Sequence, residues 1–292
     1  MIATTELNEI EVEEVRNIAE EFRGRYGIGD NVPIANDLFS LLDRLSIVLI
    51  EYPVESDGSM GFDAYITRME MDGTCLLFLG LNSAQPFDKQ LFDIAHELYH
   101  YLTDTIEIKL DEKKEKSEKK ADRFAAELLL PHKILRYNIL KEFQTLSLED
   151  IRQQTILRFI ARIHCQWRLP YKSIVKRLLE ENFITKVQYS SLYSIDERDE
   201  KSSYGCICNA IDENMFRTLN SPTNKIGTTA NYIEVVIRNY EDGLIDLDSF
   251  TKGMTLLGKH PEDFFPEDLR VSSDDIDEFN AYLSEVSSDE SQ

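Results

Sequence analysis

Long apolar runs, the basic and then apolar pattern of a leader, and Cys-x-x-Cys pairs are all missing from this sequence. No stretch of about 18 apolar residues predicts a transmembrane helix, and no basic segment followed by an apolar one marks a secretory signal. The four cysteines are scattered without a Cys-x-x-Cys pair, which suits a reducing compartment. We therefore expect a soluble cytoplasmic protein without membrane contacts.

Basic residues are also scarce relative to acidic ones. The chain has 32 Lys and Arg against 54 Asp and Glu, a formal net charge of −22. Because phosphate contacts need clustered Lys and Arg, direct nucleic-acid binding is not expected. The acidic excess is better interpreted as a solvated surface than as an attractant for basic partners. With 42% hydrophobic residues among 292, the chain can form one large domain or two modest ones.

One motif dominates what is present, His96-Glu97-Leu98-Tyr99-His100. Apolar residues at spacings of three and four around it predict a helix with a buried face. The two histidines lie one turn apart on the other face, where they can hold one catalytic Zn²⁺. Glu97 is then placed to take a proton from water as the general base of peptide hydrolysis. The competing interpretation is a surface helix with two solvated histidines.

A catalytic zinc site needs a third protein ligand, and three acids in or just before the next predicted helix, which begins at Ser117, compete for that role: Glu115, Glu118 and Glu127. Glu118 has Asp122 one turn later on the same face, where Asp122 can orient a ligand histidine. Glu127 faces the opposite way beside Arg123 and is interpreted as an ordinary surface charge. We therefore select Glu118.

Together these residues resemble the ImmA/IrrE metallopeptidases. The resemblance rests on the His-Glu-x-x-His motif and on the run from Glu118 through Ala121-Asp122 to Pro131, and it covers roughly residues 10–140. It implies a gluzincin-like fold, with His96, His100 and Glu118 as zinc ligands and Glu97 as general base. It also implies cleavage of a helix-turn-helix repressor encoded nearby, which derepresses mobile-element, phage or stress-response genes. Family members commonly carry Gly at the position of Tyr99, so Tyr99 is expected to reshape the substrate groove.

The predicted fold class is α+β, a zincin-like core of helices and a small antiparallel sheet followed by a helical C-terminal region. In zincins the edge strand of such a sheet pairs with the extended substrate, but the sequence leaves open which strand is the edge. The predicted divisions are a core at 1–140, a helical, helix-turn-helix-like segment at 141–195, a linker or irregular subdomain at 196–228, a small helical domain at 229–270 and an acidic, disordered tail at 271–292.

Several further roles stay open at this level. Tyr65, Tyr99, Tyr101 and His132 are candidate donors to the oxyanion of the reaction, although packing is the commoner role for such residues. A thiolate of Cys206 or Cys208 is considered as an inhibitory ligand at the open zinc position. The leading hypothesis is a zinc endopeptidase acting on a repressor. The alternative is a metal-containing regulatory or sensor protein that binds the repressor without cleaving it.

Overall fold

The computed structural model describes residues 7–54, 62–71, 74–106 and 111–265. The chain divides into two compact units, Met1–Ile226 and Gly227–Gln292. Among the described residues, no helix has the length and apolarity needed to cross a bilayer. The tail predicted at 271–292 lies outside the described residues.

In the part that the structure describes, the first half of the first unit contains four helices and three strands. They are α1 (Glu9–Arg25), α2 (Leu38–Arg44), β1 (Ile47–Tyr52), β2 (Ala64–Met71), β3 (Thr74–Asn82), α3 (Phe87–Leu102) and α4 (Asp111–Leu129). Asn8 and Glu11 form a capping box that starts α1, and a short 3₁₀ turn at Ala35–Asp37 leads into α2.

The sheet of this unit is mixed, so the prediction of an antiparallel sheet was wrong. β3 lies between its neighbours, parallel to β1 and antiparallel to β2. Leu79 of β3 is in register with Leu49 on one side and Ile66 on the other, and all three are buried. β2 forms an edge of the sheet. The alternation of apolar residues tells which face of a strand is buried, but it carries no information on which strands become neighbours.

The second half of the unit is helical. Its helices are α5 (His132–Phe143), α6 (Gln153–Trp167), α7 (Tyr171–Glu180), α8 (Lys186–Tyr193), α9 (Ser203–Ile211) and α10 (Glu213–Asn220). α6 begins only at Gln153, because Leu148 and the residues after it form a turn.

The segment at 196–228 differs from the predicted linker or irregular subdomain, because it contains α9 and α10. Side-chain caps from Ser202 and Asp212 start the two helices. Both pack against α6, and α10 also packs against α3, burying Tyr204, Phe216 and Leu219. This stretch up to Ile226 is therefore part of the first compact unit. The other predicted domain boundaries stay predictions.

The second unit begins with a two-residue strand β4 (Gly227–Thr228), followed by α11 (Ala230–Glu241), α12 (Leu247–Leu256) and a 3₁₀ turn at Pro261–Asp263. Its small core centres on Phe250, which is fully buried and stacks on Tyr240 at 4.7 Å between ring centroids. Asp246 caps α12 through the backbone N–H of Ser249.

A buried cluster of arginines and glutamates joins α1, α4 and α7 in the first unit. Glu127 is at its centre and is only 3% exposed. Its carboxylate accepts hydrogen bonds from Arg123 at 2.7 Å and Arg16 at 3.2 Å and pairs with Arg177 at 3.0 Å. The interpretation of Glu127 as a surface charge was therefore wrong. The error does not lie in the predicted direction of Glu127 away from Glu118. It arises because α1 and α7 pack against that side of α4 and enclose it.

Candidate metal centre

Two neighbouring helices bring the predicted ligands together. The apolar face of α3, with Leu91, Ile94 and Leu98, is fully buried, and α3 packs along α4. This packing aligns the other face of α3 with the middle of α4, where Glu118 and Asp122 lie. The ligand atoms of His96, His100 and Glu118 all lie within 4.8 Å of one another.

The distances within this group are short. His96 Nε2 is 3.2 Å from Glu118 Oε2, His100 Nε2 is 3.7 Å from Glu118 Oε1, and the two Nε2 atoms are 3.3 Å apart. Two imidazole nitrogens and one carboxylate are the donor set of catalytic zinc sites in which a fourth position stays open. His100 is buried, whereas the Glu118 side chain is 44% exposed, so solvent reaches the group from the side of α4. The residues present fit a bound metal ion.

Electrostatics around His96 and Glu118 favour a positive charge. Burial by itself lowers the pKa of His96, but hydrogen bonds to Asp122 and Glu118 raise that pKa to about 10. The hydrogen bond from His96 is the main cause that lowers the pKa of Glu118. A cation among these groups is therefore stabilised by the two carboxylates.

Each histidine is oriented by a second hydrogen bond through its other ring nitrogen. His96 Nδ1 is 3.0 Å from Asp122 Oδ1, as the spacing on α4 predicts for an orienting carboxylate. His100 Nδ1 is 2.9 Å from Thr105 Oγ1. Sequence reasoning missed Thr105. The available signal was a hydroxyl residue in the first turn after the ligand helix, where the chain folds back and the Thr105 N–H donates to the His100 carbonyl.

Glu97 lies at the junction of α3 with the edge of the sheet. Its carboxylate accepts a hydrogen bond from the backbone N–H of Ile66 in β2 at 3.0 Å. Burial is the main cause that raises the pKa of Glu97 above its ordinary value. The carboxylate next to the ligand His96 is thus fixed against the edge strand β2.

The four candidate oxyanion donors have different surroundings. Tyr65 on β2 is 49% exposed, and its ring lies across Gly80, whose missing Cβ permits this close approach. Tyr101 is half-buried against the core. Tyr99 is buried and packs on Phe124 of α4 at 5.7 Å between centroids. Tyr99 therefore fills the space between α3 and α4, which does not support the expectation that it reshapes a groove.

His132, the fourth candidate, does not join the three ligands. Its Nδ1 lies 3.1 Å from Glu181 and 3.2 Å from Arg16, at the margin of the buried arginine and glutamate cluster. Its backbone N–H donates to Glu127 at 2.9 Å. These contacts give His132 a structural role at the start of α5 and do not support a role as oxyanion donor.

The two neighbouring cysteines also lie elsewhere. Cys206 is exposed, with its Sγ 3.5 Å from the carbonyl of Glu200. Cys208 is buried, and its Sγ is 3.6 Å from that of Cys165. Neither belongs to the described group of side chains that could hold a metal, so the structure does not support an inhibitory zinc thiolate.

Comparison with known proteins adds one finding. Residues 42–179 match the model of a peptidase family described as the IrrE N-terminal-like domain. The matched segment contains the three candidate ligands, Glu97 and Asp122, and it extends through α6 to the last turn of α7. It therefore includes helices of the segment predicted at 141–195. No curated protein and no solved structure matches the chain significantly.

Proposed function

We propose that the protein is a zinc-dependent endopeptidase, because residues 42–179 match the model of a peptidase family, the IrrE N-terminal-like domain. One observation carries the proposal. The three donors that could hold a metal lie within 4.8 Å of one another, and the adjacent Glu97 is hydrogen-bonded to the edge strand β2. A candidate metal site, a proton acceptor and the edge strand of the sheet therefore lie next to one another.

In the proposed reaction, an extended segment of a protein substrate lies along β2 as an added strand. His96, His100 and Glu118 would hold the zinc ion, which when bound would supply the positive charge that acidifies water and polarises the scissile carbonyl. Glu97 accepts the proton of the attacking water and delivers it to the leaving amine. Asp122 and Thr105 keep the two imidazoles in the orientation that presents Nε2 to the metal.

The proposed substrate is a helix-turn-helix transcriptional repressor encoded near this protein. Its cleavage would derepress mobile-element, phage or stress-response genes in the cytoplasm. Support for this part comes from the resemblance of the two motifs to the ImmA/IrrE metallopeptidases and from the family match. An acidic chain with a net charge of −22 is also better suited to protein binding than to direct contact with DNA.

The test combines three variants with the neighbouring helix-turn-helix protein as substrate. Glu97→Gln should keep its metal but lose on the order of 10² to 10⁴ in cleavage rate, because only the proton acceptor is removed. Glu118→Gln should lose metal and activity together. Glu115→Gln is the matched control, since Glu115 is on the same helix but pairs with Lys119 at the surface.

Mass spectrometry of the substrate distinguishes the outcomes. A defined pair of fragments made by wild type and by Glu115→Gln supports proteolysis. A stable complex with substrate of intact mass would instead support a regulatory protein that binds without cleaving. Cleavage at an unchanged rate by Glu97→Gln would remove Glu97 from the mechanism.

A further inference from the structure

A buried chain of polar side chains connects three helices outside the metal centre. His164 of α6 is fully buried, with Nε2 3.1 Å from Asp88 in the first turn of α3 and Nδ1 2.7 Å from the Tyr204 hydroxyl of α9. Asp88 is also fully buried and pairs with Arg198 at 2.9 Å. Buried charges and dipoles of this kind are costly unless they are paired, and the proposed peptidase reaction uses none of these groups.

Two cysteine side chains lie next to each other at the end of this connected set of buried polar side chains. The Sγ atoms of Cys165 on α6 and Cys208 on α9 are 3.6 Å apart, although 43 positions separate the residues in sequence. Both are reduced. A disulfide bond is about 2.05 Å long, so the two sulfur atoms must come closer only by the difference between this length and their present separation of 3.6 Å. Cys165 is partly exposed whereas Cys208 is fully buried, so a small solute approaches the pair from the side of Cys165.

The surroundings make the two thiols unequal. A hydrogen bond from Cys165 is the largest cause that lowers the pKa of Cys208, and His164 and Tyr204 lower it further against the effect of burial. The same interaction raises the pKa of Cys165. Burial disfavours protonated His164, but Asp88 raises its pKa, so a positive imidazolium near the Cys208 sulfur is stabilised. Cys208 is thus suited to be the attacking thiolate and Cys165 the resolving thiol.

We propose that Cys165 and Cys208 form a redox-reactive dithiol that a hydroperoxide converts to a disulfide. The Cys208 thiolate attacks one peroxide oxygen, an S–O bond forms, the O–O bond breaks, and the leaving oxygen departs as water or alcohol after taking up a proton. Cys165 then attacks the sulfenic sulfur, the S–S bond forms, and the S–O bond breaks with release of water. The two thiols lose two electrons, and the peroxide gains them.

The disulfide would join a part of the first unit that matches the peptidase family to a part that lies outside the match. Cys165 lies within the matched residues 42–179, whereas Cys208 lies beyond them. Its formation also removes the thiolate that faces His164 and Tyr204. The modification therefore fastens α9 to α6 and changes the polar chain that ends at Asp88 on α3, the helix of His96 and His100. The proposal does not depend on peptidase activity.

The test uses the full chain with Cys75 and Cys206 replaced by serine, so that only the proposed pair remains. Hydrogen peroxide should produce a monomer that has lost two hydrogen atoms in mass, contains no free thiol and returns to the dithiol with a reducing agent. Peptide mapping without reduction should recover the peptide of Cys165 linked to that of Cys208. Formation of sulfinic acid or of intermolecular dimers, without this linked peptide, would overturn the proposal.

Two single replacements in the same background test the roles of the thiols. Cys165→Ser should accumulate sulfenic acid on Cys208, detected with a dimedone probe. In Cys208→Ser, Cys165 should react at least about tenfold more slowly than Cys208 does, because an ordinary thiol is only a few per cent ionised at pH 7. Equal rates would contradict the assignment of Cys208 as the attacking group. If either variant fails to fold by circular dichroism, the linked peptide in wild type decides the question.

Discussion

Removing the negative charge of Glu127 provides a sharp test of the packing between α1, α4 and α7. Glu127→Gln keeps the side-chain volume and a hydrogen-bonding oxygen, so no cavity forms. It removes the charge that compensates Arg177 and Arg123, which are 1% and 6% exposed. We expect the variant to fold with a lower free energy of unfolding.

The magnitude follows from the burial of the partners. Loss of one member of a buried ion pair costs about 3 to 5 kcal/mol, because the remaining charge stays buried without compensation. That loss is a large part of the roughly 5 to 15 kcal/mol that stabilises a typical domain. Glu115→Gln removes a carboxylate of the same helix that pairs with Lys119 at the surface, and it should cost about 1 kcal/mol or less.

The assay is urea unfolding at pH 7 and at lower pH, followed by circular dichroism. Burial by itself would raise the pKa of Glu127, but Arg177, Arg123 and Arg16 lower it below the ordinary value. A carboxylate whose pKa is lowered in the folded state stabilises the fold fully above its unfolded pKa of about 4.3, and this contribution is lost as the pH falls through the folded pKa. The difference between wild type and Glu127→Gln should therefore shrink below about pH 4.3.

Two results would refute this reasoning. A loss below about 1 kcal/mol at pH 7 would mean that the arginines find other partners or water when Glu127 is neutral. A difference between wild type and variant that stays constant down to about pH 3 would mean that the charge of Glu127 is not the stabilising property.

Three further predictions concern the metal centre and the cysteine pair. Asp122→Asn and Thr105→Val should each weaken metal binding by about 10- to 100-fold, because the ligand imidazoles lose their orienting partners. Competition with a chelating dye measures the affinity, and an unchanged affinity would contradict those roles. Tyr99→Gly should lower the free energy of unfolding, measured in urea, by at least about 3 kcal/mol, because a buried ring is removed. A change in cleavage specificity without loss of stability would show that the ring acts in the substrate groove instead. Oxidation of Cys165 and Cys208 to a disulfide should raise the free energy of unfolding by about 4 kcal/mol through closure of the intervening loop, whereas a decrease would indicate strain in the crosslinked form.

Local spacing was sufficient for much of the candidate metal centre. His96 and His100 are four residues apart on one helix, and Glu118 and Asp122 are four apart on the next, so helical geometry puts each pair on one face wherever the helices lie. The apolar spacing around Leu91, Ile94 and Leu98 likewise identified the buried face of α3. Sequence reasoning also reached the α+β class, because helical and strand periods differ.

The remaining features depend on contacts between residues far apart in the chain. Ile66 meets Glu97 because β2 is the edge strand beside α3, and Cys165 meets Cys208 because α9 packs on α6. The environment of Glu127 likewise depends on α1 and α7, which enclose α4. A periodic pattern shows which face of an element is buried but not which element covers it, since neighbours are selected by the packing of the whole chain. The sequence by itself therefore determined which reactive side chains each helix carries. The tertiary structure decided which strand, charges and thiols lie next to those side chains.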